Sequence, residues 1–290
     1  MIRGDKIDLH MHSTVSDGTY TPRELFAKVK EAGLQVFSLT DHDGYLGCGE
    51  AAELAGRDGG IRFLNGIEFS CEDDRGKYHI LGYRFDPEAQ SMKAIVRRSH
   101  DKRMTEVTGR LKMLEEQYGF AFTQEELDGL MALDNPGKPH MANMMVKKGW
   151  AKDINDGIEN YLNHCNPEVE NIAPEDAIKA VLDGGGIPVL AHGWFGGGGH
   201  VPISPEKLRE RVSRLAGCGL KGLEGFYSGF SDRQREEILA LAEEMDLYVT
   251  AGSDCHGANK AVAFGQTGFA PGRKMPKGME EFLDACGISI

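Results

Sequence analysis

The chain has 290 residues, of which 40% are hydrophobic and 27% are charged, an ordinary globular composition long enough for one large α/β domain or two smaller ones. Its formal net charge of −12 argues against a long nucleic acid as a partner, because no broad basic surface is available to displace the counterions of that partner. No apolar run is long enough to cross a membrane, the N-terminal residues do not form a signal-peptide pattern, and six cysteines without a CxxC pair favour reduced thiols in the cytoplasm.

Segments typical of strands and helices alternate along the first 90 residues. Residues 21–34 begin with a threonine cap and a proline in the first turn and end near a glycine, which are boundary signals of a helix. A shorter helix is predicted over residues 50–55. Strands are predicted over residues 6–12, 35–42, 61–71 and 77–85, with a turn at 72–76 between the last two.

The pattern changes between about residues 91 and 164, where the chain is helical and polar and has no convincing strand. One of its helices is preceded by Thr123 with Glu126 three residues later, the signature of a capping box. We interpret residues 91–164 as an inserted helical subdomain and residues 1–90 with 165–290 as the main domain. The predicted helices of the insertion cover residues 102–119, 123–132 and 138–149.

Helices and strands alternate again after the insertion. This repetition is typical of a parallel sheet, either open or closed into a barrel. The predicted helices cover residues 173–185, 204–219 and 231–246, and the predicted strands cover residues 187–192, 220–227 and 247–256.

Histidines and acidic residues fall at or near the ends of the predicted strands. The carboxyl ends of parallel strands open on one face, so these residues are expected to converge on one site. A lone buried histidine is usually a hydrogen-bonded core residue, but six of the ten histidines follow this pattern with acids beside them. Imidazole and carboxylate donors without cysteine suit Zn, Mn or Fe, and nine candidates exceed the needs of one ion. The predicted ligands are His10, His12, Asp17, His42, Glu68, His79, His192, Asp254 and His256.

Six segments carry a family resemblance. In chain order DLHMHSTVSDG, TDHD, GIEFS, HILGY, VLAH and GSDCH resemble the motifs of the PHP (polymerase and histidinol phosphatase) superfamily. The helical block between HILGY and VLAH resembles that of the bacterial nucleoside 3′,5′-bisphosphate phosphatases, some of which also trim short RNA from the 5′ end. The resemblance implies a distorted (β/α)7 TIM-like barrel, with the inserted helical subdomain covering the active site.

The resemblance also implies a trinuclear site holding two to three divalent ions (Mn, Fe or Zn). One ion would be held by His10, His12, Glu68 and Asp254, and a second by Glu68, His79 and His192, with Glu68 bridging the two. A third would be held by Asp17, His42 and His256. One departure stands out, because Gly193 and then WFGGGGH follow the AH histidine where the family usually has proline.

The expected activity is metal-dependent hydrolysis of a small phosphomonoester, in which the ions activate a water and bind the phosphate oxygens. Glu68, His192 and His256 are the catalytic candidates, with either histidine as the proton donor to the leaving oxygen. The resemblance favours the 3′-phosphate of nucleoside 3′,5′-bisphosphates, and short RNA degraded from the 5′ end is a further possibility. The alternatives are a histidinol-phosphate phosphatase or other small-molecule phosphatase, an amidohydrolase, and a PHP module without catalytic activity.

Substrate contacts are expected from the insertion and from the glycine-rich segment. His140 resembles a phosphate contact of the subgroup, with a solvated helix histidine as the alternative, and Lys138, Lys147 and Lys148 lie near it. Arg103 is a candidate phosphate contact. The alternative is that Arg103 and Lys102 belong to a solvated face of their helix. His200 is a candidate contact in a rim loop. Asp41 and Asp43 are predicted to orient the histidine ligands.

Overall fold

The computed structural model describes residues 2–195 and 201–289. Seven strands form one sheet in the order of the chain. All neighbouring strands are parallel except at the fourth, which is antiparallel to both of its neighbours. The strands are β1 (Ile7–Asp8), β2 (Val36–Leu39), β3 (Arg62–Asp73), β4 (Gly76–Tyr83), β5 (Ile187–Leu190), β6 (Gly222–Tyr227) and β7 (Tyr248–Gly252).

The first and last strands come together, so the sheet is a nearly closed barrel. The amide of Leu9 donates to the carbonyl of Ala251 over 2.8 Å, and Met11 forms a parallel bridge with Cys255. The predicted (β/α)7 TIM-like architecture is therefore confirmed, with one reversed strand. The reversal has a local cause: β3 and β4 are joined by two residues, Asp74 and Arg75, and so short a connection can only form a hairpin.

Ten α-helices lie in the described residues, and two of them, α6 and α10, were not predicted from the sequence. Capping boxes begin α1 at Thr21 and α4 at Thr123, as the sequence predicts. The helices are α1 (Pro22–Glu31), α2 (Cys48–Asp58), α3 (Gln90–Tyr118), α4 (Gln124–Met131), α5 (Lys138–Lys147), α6 (Ile154–Gly157), α7 (Pro174–Asp183), α8 (Pro205–Gly217), α9 (Asp232–Glu244) and α10 (Lys277–Ala285). Within the described ranges, no helix combines the length and hydrophobicity needed to cross a bilayer.

Helices α3 to α6 have an apolar cluster of their own, which includes Val107, Leu114 and Met145. Two further clusters fill the barrel and its outer helices. Helix α3 belongs to both parts, because Met92 and Ile95 in its first turns pack into a barrel cluster. This packing supports the interpretation of an inserted subdomain, and it places the transition inside α3 rather than at residue 91.

Two predicted strands differ from the observed ones in ways that shape the site. The first was expected over residues 6–12 but ends at Asp8, and His10 and His12 lie in the segment that follows it. That segment is tied to the end of β7, since the amide of Asp254 donates to the carbonyl of His10 over 2.7 Å. Glu68, expected at the end of its strand, instead lies in the middle of β3.

Candidate metal centre

Five histidines surround one buried carboxylate, that of Glu68, which is 1% exposed. Its Oε1 lies 3.2 Å from His10 Nε2, 2.9 Å from His79 Nδ1 and 3.2 Å from His192 Nε2. Its Oε2 lies 3.2 Å from His12 Nε2 and 3.2 Å from His42 Nδ1. These histidines come from the loops after β1 and β2, from β4, and from the loop after β5.

The nine predicted ligands form one continuous cluster. In three overlapping groups, one donor atom from each member lies within 4.8 Å of the others. His192 contacts Glu68 but is in none of these groups. The resemblance implied a group of Glu68, His79 and His192, whereas in the structure the third member of that group is His42. The groups are His10, His12, Glu68 and Asp254; then His42, Glu68 and His79; and finally His12, Asp17, His42 and His256.

The donor set fits divalent cations. Among the described residues, His10 Nε2, His12 Nε2 and Glu68 Oε2 are buried and have no hydrogen-bond partner. Buried polar atoms are normally paired, and leaving them unpaired is costly. Unpaired imidazole nitrogens and carboxylate oxygens that point at one another are the donors that zinc, manganese and iron accept.

His10 is held in a defined orientation by Glu224, a residue that the sequence interpretation missed. The Glu224 Oε1 atom lies 2.9 Å from His10 Nδ1, and its Oε2 accepts the backbone amide of His192 over 2.8 Å. The Nδ1 proton of His10 is therefore directed at Glu224, which leaves Nε2 free to face Glu68. The available signal was an acidic residue inside the apolar run LKGLEGFY.

Asp41 and Asp43 were predicted to orient histidines, but in the described part of the chain neither accepts a hydrogen bond directly from one. Asp41 accepts hydrogen bonds from Ser13 and Ser16 at 2.6–2.8 Å. Asp43 accepts from the amide of Ser70 over 2.9 Å and is paired with Arg103. Each carboxylate is linked to a histidine through a serine. Asp41 is linked through the hydroxyl of Ser16, which lies 3.5 Å from His12 Nδ1, and Asp43 holds the backbone of Ser70, whose Oγ lies 3.5 Å from His42 Nδ1.

The carboxylates of the cluster are held in their ionised form. Burial would raise the pKa of Glu68, but the neighbouring His10, His79 and His42 hold it well below its usual value. The pKa of Asp254 is likewise lowered: burial opposes the charged form and His10 and His12 favour it. Burial lowers the pKa of His42 to about 3 and keeps its ring neutral. Ionised carboxylates and neutral imidazoles are the protonation states that metal binding requires. Burial opposes the charge of His12, but Asp254 and Glu68 raise its pKa to about 10, so this ring must lose its proton when a cation binds.

A cavity of about 230 Å³ separates this cluster from the inserted helices. Asp17, His42, Asp43 and His79 line it on the barrel side. Five basic residues contribute to the remaining wall, and four of them belong to the insertion, three on α3 and one on α5. They are Lys77, Lys102, Arg103, Arg110 and Lys138.

Arg103 points into this cavity, so the interpretation as a solvated helix face is wrong for this residue. Its side chain is 18% exposed and pairs with Asp43, and its Nη2 lies 3.4 Å from Ser70 Oγ. Among the described residues, its Nε is a buried donor with no partner.

The other predicted substrate contacts have different positions. His140 caps α5, since its Nδ1 accepts the amide of Gly137 over 3.1 Å; a neutral ring then carries its proton on Nε2. Burial lowers the pKa of His140. In the described ranges, Lys138 lines the cavity but Lys147 and Lys148 do not, and Lys148 is paired with Glu126 over 2.9 Å.

The segment after His192 is anchored where the family usually has proline. The carbonyl of Gly193 accepts from Arg211 over 3.2 Å, and the buried Trp194 donates its indole N–H to the carbonyl of Gln234 over 2.9 Å. The predicted contact His200 and the GGGG run lie outside the described residues.

The arrangement agrees with comparisons to known proteins. The chain is 30% identical to a 3′,5′-nucleoside bisphosphate phosphatase of Chromobacterium violaceum, over 86% of this chain and 87% of that relative. It is 29% identical to a 5′-3′ exoribonuclease of Haemophilus influenzae, over 87% of this chain and 90% of the relative. A solved metal-dependent phosphoesterase of Bifidobacterium adolescentis superposes with a TM-score of 0.81 at 26% identity, covering 96% of both chains.

The family model described as PHP domain matches residues 8–169, more than half of the chain. This stretch includes β1 to β4 and six of the nine clustered donors, and the other three come from the loops after β5 and β7. The chain therefore belongs to the PHP domain family and is a metal-dependent hydrolase of phosphoric esters.

Proposed function

We propose that the protein hydrolyses a phosphomonoester of a small nucleotide that carries two separate phosphates, with the 3′-phosphate of a nucleoside 3′,5′-bisphosphate as the preferred substrate. The observation that carries this proposal is the cavity with the ligand cluster on one side and basic side chains on the other. A scissile phosphate has a place at the cluster, and a second phosphate has one beside Arg103 and Lys138. The name of the Chromobacterium violaceum relative supports the same substrate class.

Two to three divalent ions are proposed to be held by eight of the nine clustered residues, all except His192, and Glu68 would be shared between ions. Bound there, such ions supply a nucleophilic water at neutral pH and stabilise the charge that develops on the phosphoryl oxygens. Glu224 fixes the ring of His10, and the serines that contact Asp41 and Asp43 fix the rings of His12 and His42. The protein therefore supplies a preorganised set of donors.

His192 is the proposed proton donor to the leaving oxygen. The His256 Nδ1 lies 3.0 Å from the carbonyl of Asp254, so that nitrogen carries the proton, and Nε2 presents a lone pair towards Asp17. This is the arrangement of a ligand, and it leaves His256 with no proton to give. His192 lies outside the three ligand groups and at the edge of the cluster, 3.2 Å from Glu68.

The second phosphate supplies binding energy away from the reacting centre, which can be used to position the scissile group. Arg103 offers a guanidinium with an unpartnered buried Nε, and Lys138 adds an ammonium in the same wall. The cavity volume of about 230 Å³ lies below the range of about 300–1,000 Å³ that is usual for drug-sized ligands, which argues for a small substrate and against a long chain.

The test is phosphate release in the presence of Mn²⁺ from a nucleoside 3′,5′-bisphosphate, the matching 5′- and 3′-monophosphates, histidinol phosphate and a short 5′-phosphorylated RNA. We expect the bisphosphate to have the highest kcat/KM. Arg103→Met and His140→Ala should each lower kcat/KM for the bisphosphate by about tenfold or more, with a much smaller effect on the monophosphates. Arg98→Met is the matched control, because Arg98 is on the same helix but pairs with Asp176 outside the cavity.

Equal turnover of mono- and bisphosphates, or an equal effect of Arg103→Met on both, would replace this proposal with a general phosphomonoesterase. The name of the Haemophilus influenzae relative gives a second candidate, removal of nucleotides from the 5′ end of short RNA. That activity is indicated if the 5′-phosphorylated RNA is degraded to mononucleotides faster than the bisphosphate loses phosphate. A preference for histidinol phosphate would point to the remaining phosphatase alternative.

A further inference from the structure

The two carboxylate oxygens of Asp254 have different surroundings. Oδ1 faces the histidine cluster, 3.3 Å from His12 Nε2, 3.4 Å from His256 Nδ1 and 3.6 Å from His10 Nε2. Oδ2 faces away from the histidines. It accepts the hydroxyl of Tyr227 over 3.0 Å and is paired with the ammonium of Lys260.

Tyr227 and Lys260 form one unit around this second oxygen. Tyr227 is the last residue of β6 and is 8% exposed. Lys260 follows the short 3₁₀ turn Gly257–Asn259, and its Nζ lies 3.2 Å from the Tyr227 hydroxyl and 5.4 Å from the centre of the ring. The hydroxyl therefore donates to Asp254 and accepts from Lys260, so the three side chains are mutually satisfied.

We infer that Tyr227 and Lys260 are positioning residues that restrict Asp254 to a single coordinating oxygen, and that the Lys260 ammonium competes with a divalent ion for the charge of this carboxylate. The inference rests on the proposed role of Asp254 as a metal ligand and is independent of the substrate assigned above. Neither Tyr227 nor Lys260 is among the nine candidate ligands.

The physical reason is the number of acceptor sites and the sum of charges. A carboxylate with both oxygens free can bind a cation through either one or both of them. Two hydrogen bonds on Oδ2 leave only Oδ1 for the ion. In addition, only the carboxylate of Asp254 separates the Lys260 ammonium from the proposed ion. The two positive charges repel each other, and this buried site is poorly screened by solvent. Without a bound ion, the same ammonium stabilises the charge of a carboxylate that is 6% exposed.

The competition predicts opposite effects of Lys260→Met in the presence and absence of metal. Without metal the variant should melt at a lower temperature than the parent protein, because the buried carboxylate has lost its counter-ion. The increase in Tm produced by saturating Mn²⁺ should be larger than in the parent, and the Kd for Mn²⁺, measured by competition with a chelator, should fall by about three- to tenfold. A residue with only a structural role would shift both melting temperatures equally.

Coordination by a second oxygen has a spectroscopic signature. With Co²⁺ as the probe, Lys260→Met and Tyr227→Phe should both reduce the intensity of the visible absorption, because a higher coordination number weakens it. Lys260→Arg keeps the charge and a donor, and it should retain the parent spectrum. Lys30→Met is the matched control, since it breaks an ion pair with Asp58 on the outside of the barrel and should leave the Mn²⁺-induced increase in Tm unchanged.

Asp254→Asn separates the possible failures. Suppose that Asp254→Asn weakens Mn²⁺ binding, and that Lys260→Met has the parental Mn²⁺-induced increase in Tm, Kd and Co²⁺ spectrum. The positioning role is then wrong, and the assignment of Asp254 as a metal ligand is kept. If Asp254→Asn binds Mn²⁺ as tightly as the parent, Asp254 is not a ligand, and both the assignment and this inference are overturned. A weaker affinity for Mn²⁺ in Lys260→Met would also contradict the competition.

Discussion

The mouth of the barrel and the inserted helices face each other across one cavity. They differ in burial and in the number of contacts that hold their polar side chains in place. At the barrel, the carboxylate of Glu68 is 1% exposed and contacts five histidines, several of which are held by a further hydrogen bond. On the insertion, Lys138 is only partly buried, and within residues 2–195 and 201–289 its ammonium has one hydrogen-bond partner, Asn163 at 2.7 Å. The difference is consistent with our proposal that the barrel carries out the reaction and the insertion selects the phosphate ester.

The backbone at the barrel mouth also has more unusual conformations than the backbone of the insertion. Asp43, His192 and Asp254 have φ of 54°, 30° and 57°, in the left-handed region that non-glycine residues rarely adopt. All three lie just after barrel strands, next to the cluster. Such conformations persist only where the surrounding structure over-determines them, and they concentrate at functional sites. The described residues of the insertion have positive φ only at glycines.

The largest expected effect belongs to Glu68, at the centre of the barrel site. Glu68→Gln should lower kcat for every substrate by about 10³-fold, because the loss of a shared ligand removes several kcal/mol of charge stabilisation. His42→Ala, a ligand nearer the rim, should cost less. Metal content and turnover measured on the same samples provide the check. A Glu68→Gln protein with parental metal content and turnover would show that the barrel site does not work through this carboxylate.

A smaller effect is expected from Glu224, which orients His10 without lying among the ligand groups. Glu224→Gln should weaken Mn²⁺ binding by about 10–100-fold, the usual cost of losing the partner of a histidine ligand. Excess Mn²⁺ should restore part of the activity, because His10 itself is still present. A titration of activity against Mn²⁺ tests this, with Glu236→Gln as control, because Glu236 pairs with Arg273 away from the site. Unchanged Mn²⁺ dependence would contradict the prediction.

The smallest effect is expected on the insertion side and depends on pH. Burial, with nearby Arg110 and Lys77, lowers the pKa of Lys138 to about 8, so its ammonium loses its proton as the pH rises through 8. If that charge holds the second phosphate, KM for the bisphosphate should rise several-fold between about pH 7 and 9, with kcat changing less. The sign follows because the protonated form, present at lower pH, is the one that binds the anion.

Two variants sharpen the pH test. Lys138→Arg keeps the charge and should give a KM that is flat over this range, whereas Lys138→Met should give a KM that is high and flat. The nucleoside 3′-monophosphate keeps the scissile phosphate and lacks the second one, so it is the control substrate, and its KM should not follow the same profile. A parental KM for the bisphosphate that does not change across pH 8 would remove Lys138 from the recognition of the second phosphate, and the insertion would lose one of its proposed roles.

The sequence determined much of the architecture because its signals are local. Caps at Thr21 and Thr123 and the period of apolar residues identified helices. The alternation of helices and strands indicated a parallel sheet, and the resemblance to the PHP superfamily implied that it closes into a barrel. The predicted ends of strands were less accurate where the strand-like sequence pattern continues beyond the hydrogen-bonded strand. The segment with His10 and His12 is an example, because it follows the end of β1. The reversal of β4 follows from a two-residue hairpin turn, whose consequence for strand direction appears only once the strands are paired.

The sequence by itself identified the nine candidate ligands and the chemistry of the barrel mouth, because histidines and acids at strand ends are unusual enough to mark the site without coordinates. Only the tertiary structure revealed Glu224, Tyr227 and Lys260 beside those residues. Arg103 was a candidate contact from the sequence, and only the structure decided between its two interpretations, by placing it in the cavity wall. Glutamate, tyrosine, lysine and arginine are common on any surface, so their types carry no such mark. Their roles depend on contacts between residues far apart in the chain, which only the closing of the barrel and the packing of the inserted helices against its mouth bring about.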